Sequence, residues 1–163
     1  VADNMNFTHA IQIDADGQHD LAAVTDFLDQ ARHNPQALVC GYPVYDQTVP
    51  LARLWGRELT NFWVHVNTRS KALKDAMCGF RVYPIAQTLP VLPSVRTRRM
   101  DFDPDIAVRL LWAGVPVINR PVRVTYPKDG ISHFRGFSDN MRISRLHAGH
   151  FCTMLLRRMG LAK

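Results

Sequence analysis

The stretch Thr8-His-Ala-Ile-Gln-Ile-Asp-Ala-Asp-Gly-Gln-His19 decides how the rest of the chain is interpreted. Its apolar first half predicts a largely buried strand, and this strand ends in two carboxylates, Asp14 and Asp16. Residues two apart point to the same face of an extended chain, so the two carboxylates can converge on one point. Such oxygen ligands suit a Mg²⁺ or Mn²⁺ ion that also holds phosphates. The alternative is a pair of solvated turn residues or helix caps.

Composition narrows the class of protein. With 163 residues, 47% of them hydrophobic, the chain is long enough for one folded domain with a core. The net charge of +6 favours anionic partners such as nucleotide phosphates, anionic lipid head groups or nucleic acid. We expect no nucleic-acid partner, because the aromatic residues fit a core and no recognition motif is present. No apolar run reaches the length of a membrane-spanning helix.

The three cysteines, Cys40, Cys78 and Cys152, are scattered along the chain and form no metal-binding motif. We expect all three to be buried thiols in a reducing compartment, which predicts a cytoplasmic location.

Beyond the first stretch, predicted helices and strands alternate in the pattern of an α/β fold. Asp20 is positioned to cap a helix that runs to about His33, and residues 37–41 form a short strand. A long helix is predicted over residues 51–74, and further strands over 80–83 and 115–126. Helical spacing places one set of residues of the long helix in the core: Leu54, Trp55, Leu59, Phe62, Trp63 and Val66.

Another helix is predicted to start in Met100-Asp-Phe-Asp-Pro-Asp105. Asp103 is expected at the N-cap, Pro104 at the first helical position and Asp105 in the first turn. Capping accounts for these acids, and a catalytic base among them is the alternative.

Cations at three places have open interpretations. Arg53 and Arg57 share a helix face. They are either a solvated pair, cations in salt bridges to Glu58 and Asp46, or arms for a diphosphate. A polar loop after residue 126 offers four phosphate contacts: Lys128, Ser132, His133 and Arg135. Residues 138–159 predict a basic amphipathic helix, which either packs on the domain or lies on an anionic membrane surface.

Four motifs in order along residues 8–137 resemble those of family 2 glycosyltransferases, especially the dolichyl- and polyprenyl-phosphate sugar transferases. They are Asp-Ala-Asp-Gly-Gln-His at 14–19, Cys-Gly-Phe-Arg at 78–81, the acid-headed helix with its following strand at 102–124, and Gly-x-Ser-His at 130–133. The resemblance implies a GT-A fold, a mixed α/β sheet with flanking helices. Residues 1–137 would be the C-terminal part of that domain, and residues 138–163 the basic amphipathic helix.

The resemblance also implies roles for individual residues. Asp14, Asp16 and Gln18 match the positions that hold a Mg²⁺ or Mn²⁺ ion and the diphosphate. Asp105 matches the helix carboxylate near the acceptor, with Asp103 as the next candidate for a catalytic base. A further set would bind the diphosphate or the acceptor: Arg53, Arg81, Lys128, Ser132, His133 and Arg135. His133 stands where Lys is usual, and because His is mostly neutral near pH 7 this position lacks a permanent cation.

The implied reaction is the inverting transfer of a sugar from a nucleotide-diphosphate sugar to a lipid-phosphate or other membrane-associated acceptor, at the inner face of a membrane. The family's nucleotide-binding segment before the acidic motif has no counterpart here, so we expect the isolated chain to be weakly active or inactive. Two alternatives remain open. One is a non-catalytic module that docks on a membrane or a partner, and the other is a metal-dependent phosphohydrolase that uses the same acids.

Overall fold

The computed structural model describes residues 5–45, 49, 51–125 and 136–161, with residues 51–53 described by their backbone alone. The described residues form a mixed α/β fold, as predicted. Four strands make one sheet in the order β1-β3-β2-β4. They are β1 (His9–Gln12), β2 (Leu38–Tyr45), β3 (Arg81–Pro84) and β4 (Val117–Val124). β3 is antiparallel to both β1 and β2, whereas β2 and β4 are parallel along their whole length.

The helices of the described residues are α1 (Val24–His33), α2 (Leu51–Thr68), α3 (Ile85–Thr88), α4 (Phe102–Trp112) and α5 (Gly136–Arg158). The sheet has a buried cluster on each face. Leu38 of β2 belongs to the cluster with Val64 of α2 and Ile106 of α4, whereas its neighbour Val39 belongs to the cluster with Phe27 of α1. Because neighbouring strand residues face opposite ways, β2 carries apolar residues for both clusters.

The predicted start of the first helix is confirmed. The Asp20 carboxylate accepts a hydrogen bond from the backbone N–H of Ala22 at 2.9 Å. This bond caps a 3₁₀ turn, Leu21–Ala23, that continues directly into α1.

The prediction that β1 is largely buried is wrong. Ala10 is exposed, and Ile11 keeps 42% of its surface accessible. β1 stands at the end of the strand order and pairs with β3, so within the described residues its other edge carries no strand. The run of apolar residues indicated a strand but not its place in the sheet.

The predicted inner face of α2 is also wrong in part. Trp55, Leu59 and Phe62 are 77%, 58% and 56% exposed. Two asparagines help to set the inner face instead: Asn61 accepts a hydrogen bond from the Ala76 N–H at 2.9 Å, and Asn67 donates one to the His147 carbonyl at 3.3 Å. The helix also ends at Thr68 rather than near residue 74.

The start of α4 lies earlier than predicted. Asp101 takes the N-cap position, so Asp103 lies within the first turn and is not the cap. Asp105 lies in the first turn, as predicted, but neither Asp103 nor Asp105 is the cap, and both carboxylates make tertiary contacts.

The C-terminal helix packs against the domain. α5 lies along α2, and the Trp63 and Phe151 rings meet edge to face with centroids 6.3 Å apart. Cys152 on this helix is exposed, which corrects its predicted burial, whereas Cys40 and Cys78 are buried as expected. No helix in the described ranges combines the length and apolarity needed to cross a bilayer.

Candidate active site

The sheet brings the ends of several strands to one edge. β1 and β2 run in the same direction because each is antiparallel to β3, and β4 is parallel to β2. The carboxyl ends of β1, β2 and β4 therefore meet beside the start of β3. Ligands of open α/β sheets bind at this kind of edge.

Asp14 lies at this edge, two residues beyond β1. Its side chain is 44% exposed, and its carboxylate rests against Gly79 in the loop that leads into β3. A Cβ atom on residue 79 would collide with that carboxylate. The glycine of the Cys-Gly-Phe-Arg motif thus makes room for the first acid of the Asp-x-Asp motif.

Asp16 occupies a tight turn that is tied to β4. Its Oδ1 accepts a hydrogen bond from the Gln18 N–H at 3.0 Å, and Gly17 between them has a positive φ of 72°. The Gln18 carbonyl accepts from the Thr125 N–H at 3.0 Å, just past the end of β4. The turn interpretation of Asp16 is therefore correct in geometry, and the exposed carboxylate remains free to meet a ligand on its other oxygen.

His19 is a site residue that the sequence interpretation did not single out. Its Nε2 lies 3.8 Å from Asp14 Oδ2, and its ring packs edge-on against Phe80 with centroids 5.6 Å apart. Its Nδ1 is buried without a hydrogen-bond partner among the described residues. The sequence signal that could have identified His19 is its position as the last residue of the Asp-Ala-Asp-Gly-Gln-His motif.

Asp103 reaches the same region from the first turn of α4. Its Oδ1 accepts a hydrogen bond from Gln12 Nε2 at 2.9 Å, and Gln12 is the last residue of β1. Burial raises the pKa of Asp103 above its ordinary value; Arg81 and Gln12 oppose this effect, and the negative charge of Asp14 adds to it. The two acids are thus close enough to interact electrostatically.

Arg81 is fully buried and braces this region from inside. It donates to the backbone carbonyls of Cys78, Ala76 and Asp103 at 2.9, 2.7 and 2.8 Å. These bonds fasten the loop that carries Gly79 to the start of α4. They direct its guanidinium toward protein carbonyls, in contrast to the diphosphate contact that the resemblance implies.

Asp105 faces a different part of the molecule. Its buried carboxylate accepts hydrogen bonds from Arg109 at 2.6 Å and Thr97 at 2.9 Å, and it lies 2.9 Å from His150 Nε2 of α5. Burial alone would raise the pKa of Asp105, but hydrogen bonds from His150, Arg109 and Thr97 outweigh it and lower that pKa below its ordinary value. The structure thus separates Asp103 at the site edge from Asp105 beneath α5.

Of the remaining predicted contacts, the structure describes the side chain of Arg57, whose guanidinium lies 5.9 Å from the ring centroid of Tyr45, the last residue of β2. Arg57 forms a 2.6 Å ion pair with the buried Asp75, so it is salt-bridged, but to an acid other than the predicted Glu58 and Asp46. Lys128, Ser132, His133 and Arg135 lie outside the described residues, as does the side chain of Arg53.

The side chains that could ligate a metal ion can be compared with the coordination that Mg²⁺ requires. Within the described ranges no group of three His, Cys, Asp or Glu side chains has the arrangement of a metal centre. A Mg²⁺ ion at a phosphate site commonly takes only one or two carboxylates and completes its shell with waters and substrate phosphates. The exposed carboxylates of Asp14 and Asp16 fit that pattern, and they do not fit a site built entirely from protein ligands.

Comparison with known proteins adds one finding. No protein-family model matches the chain. The chain is similar to a dolichyl-phosphate beta-glucosyltransferase of Dictyostelium discoideum, with 22% identity over 145 residues that cover 84% of this chain and 44% of the relative. The chain thus spans less than half the length of that relative. This distant similarity supports a glycosyltransferase-like family.

Proposed function

We propose that the chain carries the metal, diphosphate and acceptor residues of a glycosyltransferase that moves a sugar from a nucleoside-diphosphate sugar to a lipid-phosphate or other membrane-associated acceptor. The observation that carries this proposal is that two acids lie at the same carboxyl edge of the sheet: Asp14, seated on Gly79, and Asp103, held by Gln12 at the end of β1. The distant similarity to a lipid-phosphate glucosyltransferase supports the same class of reaction.

Asp14 and Asp16 are the residues that would hold a Mg²⁺ or Mn²⁺ ion. When bound, such an ion supplies Lewis-acid chemistry that neutralises a leaving nucleoside diphosphate. The chain's own contribution is to fix the two carboxylates. Gly79 leaves room for Asp14, and the Gln18 N–H holds one oxygen of the exposed Asp16 carboxylate.

In this proposal Asp103, rather than Asp105, is the acid that acts on the sugar acceptor. A hydroxyl acceptor needs a base, and a carboxylate with a raised pKa is a better base near neutral pH than an ordinary one. A phosphate acceptor is already a nucleophile and repels a carboxylate, so Asp103 would orient it only through the protonated form, which burial favours. Asp105 and Arg81 act as internal braces, because their polar atoms are engaged by protein groups.

The outer face of α5 supports a membrane-associated acceptor. Phe137 and Met141 are 83% and 48% exposed, and Arg142 and Arg145 beside them are exposed as well. The single acidic residue of this helix, Asp139, is buried. An outward face with apolar and cationic residues and no acid fits an anionic lipid surface.

Replacing one carboxylate tests the proposed function. In the complete gene product, Asp16→Asn should lower sugar transfer to dolichyl phosphate by about 100-fold or more, because a neutral amide is a poor ligand for a hard cation. The measurement uses a panel of nucleoside-diphosphate sugars with Mn²⁺. Asp29→Asn, an exposed acid on α1, is the matched control and should keep full activity.

Near-normal transfer by Asp16→Asn would overturn the metal assignment. Release of inorganic phosphate without sugar transfer would favour a phosphohydrolase. Vesicle binding that ignores both Mn²⁺ and nucleotide, with no transfer, would favour a docking module.

A further inference from the structure

A short chain of hydrogen bonds links three elements behind the candidate site. The hydroxyl of Tyr83 in β3 donates to Gln12 Oε1 in β1 at 2.9 Å. Gln12 Nε2 in turn donates to Asp103 Oδ1 in α4 at 2.9 Å. Gln12 is therefore the middle link between the sheet and the acid on the helix.

The partners of Gln12 determine which way its amide points. Burial raises the pKa of Tyr83 to about 12, although the positive charge of Arg81 opposes this, so the hydroxyl keeps its proton and remains a donor. Because the Tyr83 hydroxyl donates, the Gln12 amide must face it with its oxygen, and its nitrogen then points toward Asp103. In the opposite orientation, the amide oxygen would face the carboxylate and lose this bond.

The position of Gln12 in the chain couples the two acids. It precedes Asp14 by two residues, at the point where β1 leaves the sheet. The same short stretch therefore carries Asp14 and holds the carboxylate of Asp103. Because Arg81 also binds the backbone carbonyl of Asp103 at 2.8 Å, both the main chain and the side chain of this acid are fixed.

We propose that Gln12 is a positioning residue, which sets the orientation of the Asp103 carboxylate toward the acceptor, and that Tyr83 fixes the orientation of the Gln12 amide. This inference rests on the proposed function and goes beyond it. Gln12 touches no reacting atom, and its effect passes through Asp103. A loosened carboxylate should slow the chemical step while donor binding is unaffected, since Asp14 and Asp16 keep their own contacts.

The test compares Gln12→Leu, Gln12→Glu and Tyr83→Phe in the complete gene product. Transfer to dolichyl phosphate gives kcat and the KM for the donor. Titration with Mn²⁺ and the nucleoside diphosphate of the donor that the panel identifies (UDP for a uridine donor) gives donor-site affinity without turnover. Gln12→Leu should lower kcat by about 10- to 100-fold, with KM and UDP affinity within about twofold of wild type. Gln12→Glu keeps the acceptor for Tyr83 but has no donor for Asp103, so it should be at least as slow.

A double variant separates positioning from loss of structure. Once Gln12→Leu has removed the amide, adding Tyr83→Phe should cost no further activity, although Tyr83→Phe alone should be measurably slower than wild type. Gln87→Leu, a half-buried glutamine on α3 away from the site, is the control and should leave kcat unchanged.

The outcomes distinguish the two proposals. If the wild-type protein transfers sugar and Gln12→Leu keeps its kcat within twofold, the positioning role is overturned and the proposed function stands. A rise in KM and a loss of UDP affinity that match the fall in kcat would also overturn it, because they would indicate a general disturbance. A wild-type protein that transfers sugar from no donor of the panel and binds no nucleoside diphosphate with Mn²⁺ would overturn the proposed function, and this inference with it.

Discussion

Gly79 shows how one residue without a side chain shapes the candidate site. The carboxylate of Asp14 occupies the space where any other residue at 79 would carry its Cβ atom. Two motifs that are far apart in the sequence, Asp-x-Asp and Cys-Gly-Phe-Arg, are therefore parts of one contact. The contact joins the end of β1 to the loop before β3. It positions the Asp14 carboxylate, which stays partly exposed to solvent.

Gly79→Ala should weaken nucleotide binding without unfolding the protein. The methyl group would displace the Asp14 side chain, which can swing toward solvent, so the main cost falls on ligand geometry. We expect affinity for UDP with Mn²⁺ to fall about tenfold or more, as for other losses of metal-ligand positioning. Isothermal titration measures the affinity, and thermal unfolding should show little change.

Gly56→Ala is the matched control for this substitution. A Cβ atom at Gly56 meets nothing within 4 Å, and an alanine within α2 should leave binding unchanged while slightly stabilising the helix. An unchanged UDP affinity in Gly79→Ala would contradict the assignment of Asp14 to the metal and diphosphate.

The two acids of α4 show where sequence reasoning stops at the scale of residues. The pattern Phe-Asp-Pro-Asp predicted a helix start, and a helix does start there. It could not determine that Asp103 meets Gln12 whereas Asp105 meets His150, because side-chain direction depends on the rotation of the helix. That rotation is fixed by β1 and α5, which lie far away in the sequence.

At the scale of elements, α5 packs against the domain with two buried histidines on its inner face, His147 and His150. His150 lies against Asp105, and its ring packs edge-on against Trp112 with centroids 5.2 Å apart. His147 is 4% exposed, and neither of its ring nitrogens has a partner among the described residues. Burial lowers the pKa of His147 to about 4, and the neighbouring His150 adds to this effect.

Acidification should therefore destabilise the packing of α5. A folded-state pKa below the unfolded value of about 6.5 means that the unfolded chain binds the proton first, so stability is lost as the pH falls from about 6.5 toward 4. The free energy of unfolding should be about 2 kcal/mol lower at pH 5 than at pH 7. Urea denaturation at the two pH values measures this difference.

His147→Phe should remove most of that pH dependence, because a phenyl ring fills the buried position and does not titrate. His33→Gln, an exposed histidine at the end of α1, should leave it intact. A wild-type stability that is equal at pH 7 and pH 5 would show that His147 does not titrate in this way.

The faces of α2 illustrate the same limit for a whole element. Periodicity predicted an amphipathic helix, and α2 is one of the longest helices described. The large apolar side chains Trp55, Leu59 and Phe62 nevertheless point outward. Asn61 and Asn67 hold the inner face through hydrogen bonds to Ala76 and His147, and such bonds leave no trace in a hydrophobic pattern.

At the scale of the whole molecule, sheet direction and surface charge give the site its setting. The parallel course of β1, β2 and β4 was foreseeable in outline, because strand–helix–strand units favour parallel strands. The reversed β3 was not, yet it delivers Gly79 and Arg81 to the carboxyl edge. The exposed cations of α5 complete this arrangement if the acceptor is lipid-linked.

The outward face of α5 should bind anionic vesicles in a salt-dependent manner. Each exposed arginine near an anionic surface contributes about 1 kcal/mol, so Arg142→Gln combined with Arg145→Gln should weaken binding about 30-fold. Co-sedimentation with vesicles of phosphatidylcholine and phosphatidylserine measures this, and added salt should also weaken vesicle binding by the wild-type protein.

Removing two exposed cations elsewhere, with Arg32→Gln and Lys71→Gln, is the matched control for net charge. If both pairs reduce binding equally, the attraction comes from the overall charge of +6 and not from α5. If pure phosphatidylcholine vesicles bind as well as anionic ones, the charged face has no part in docking.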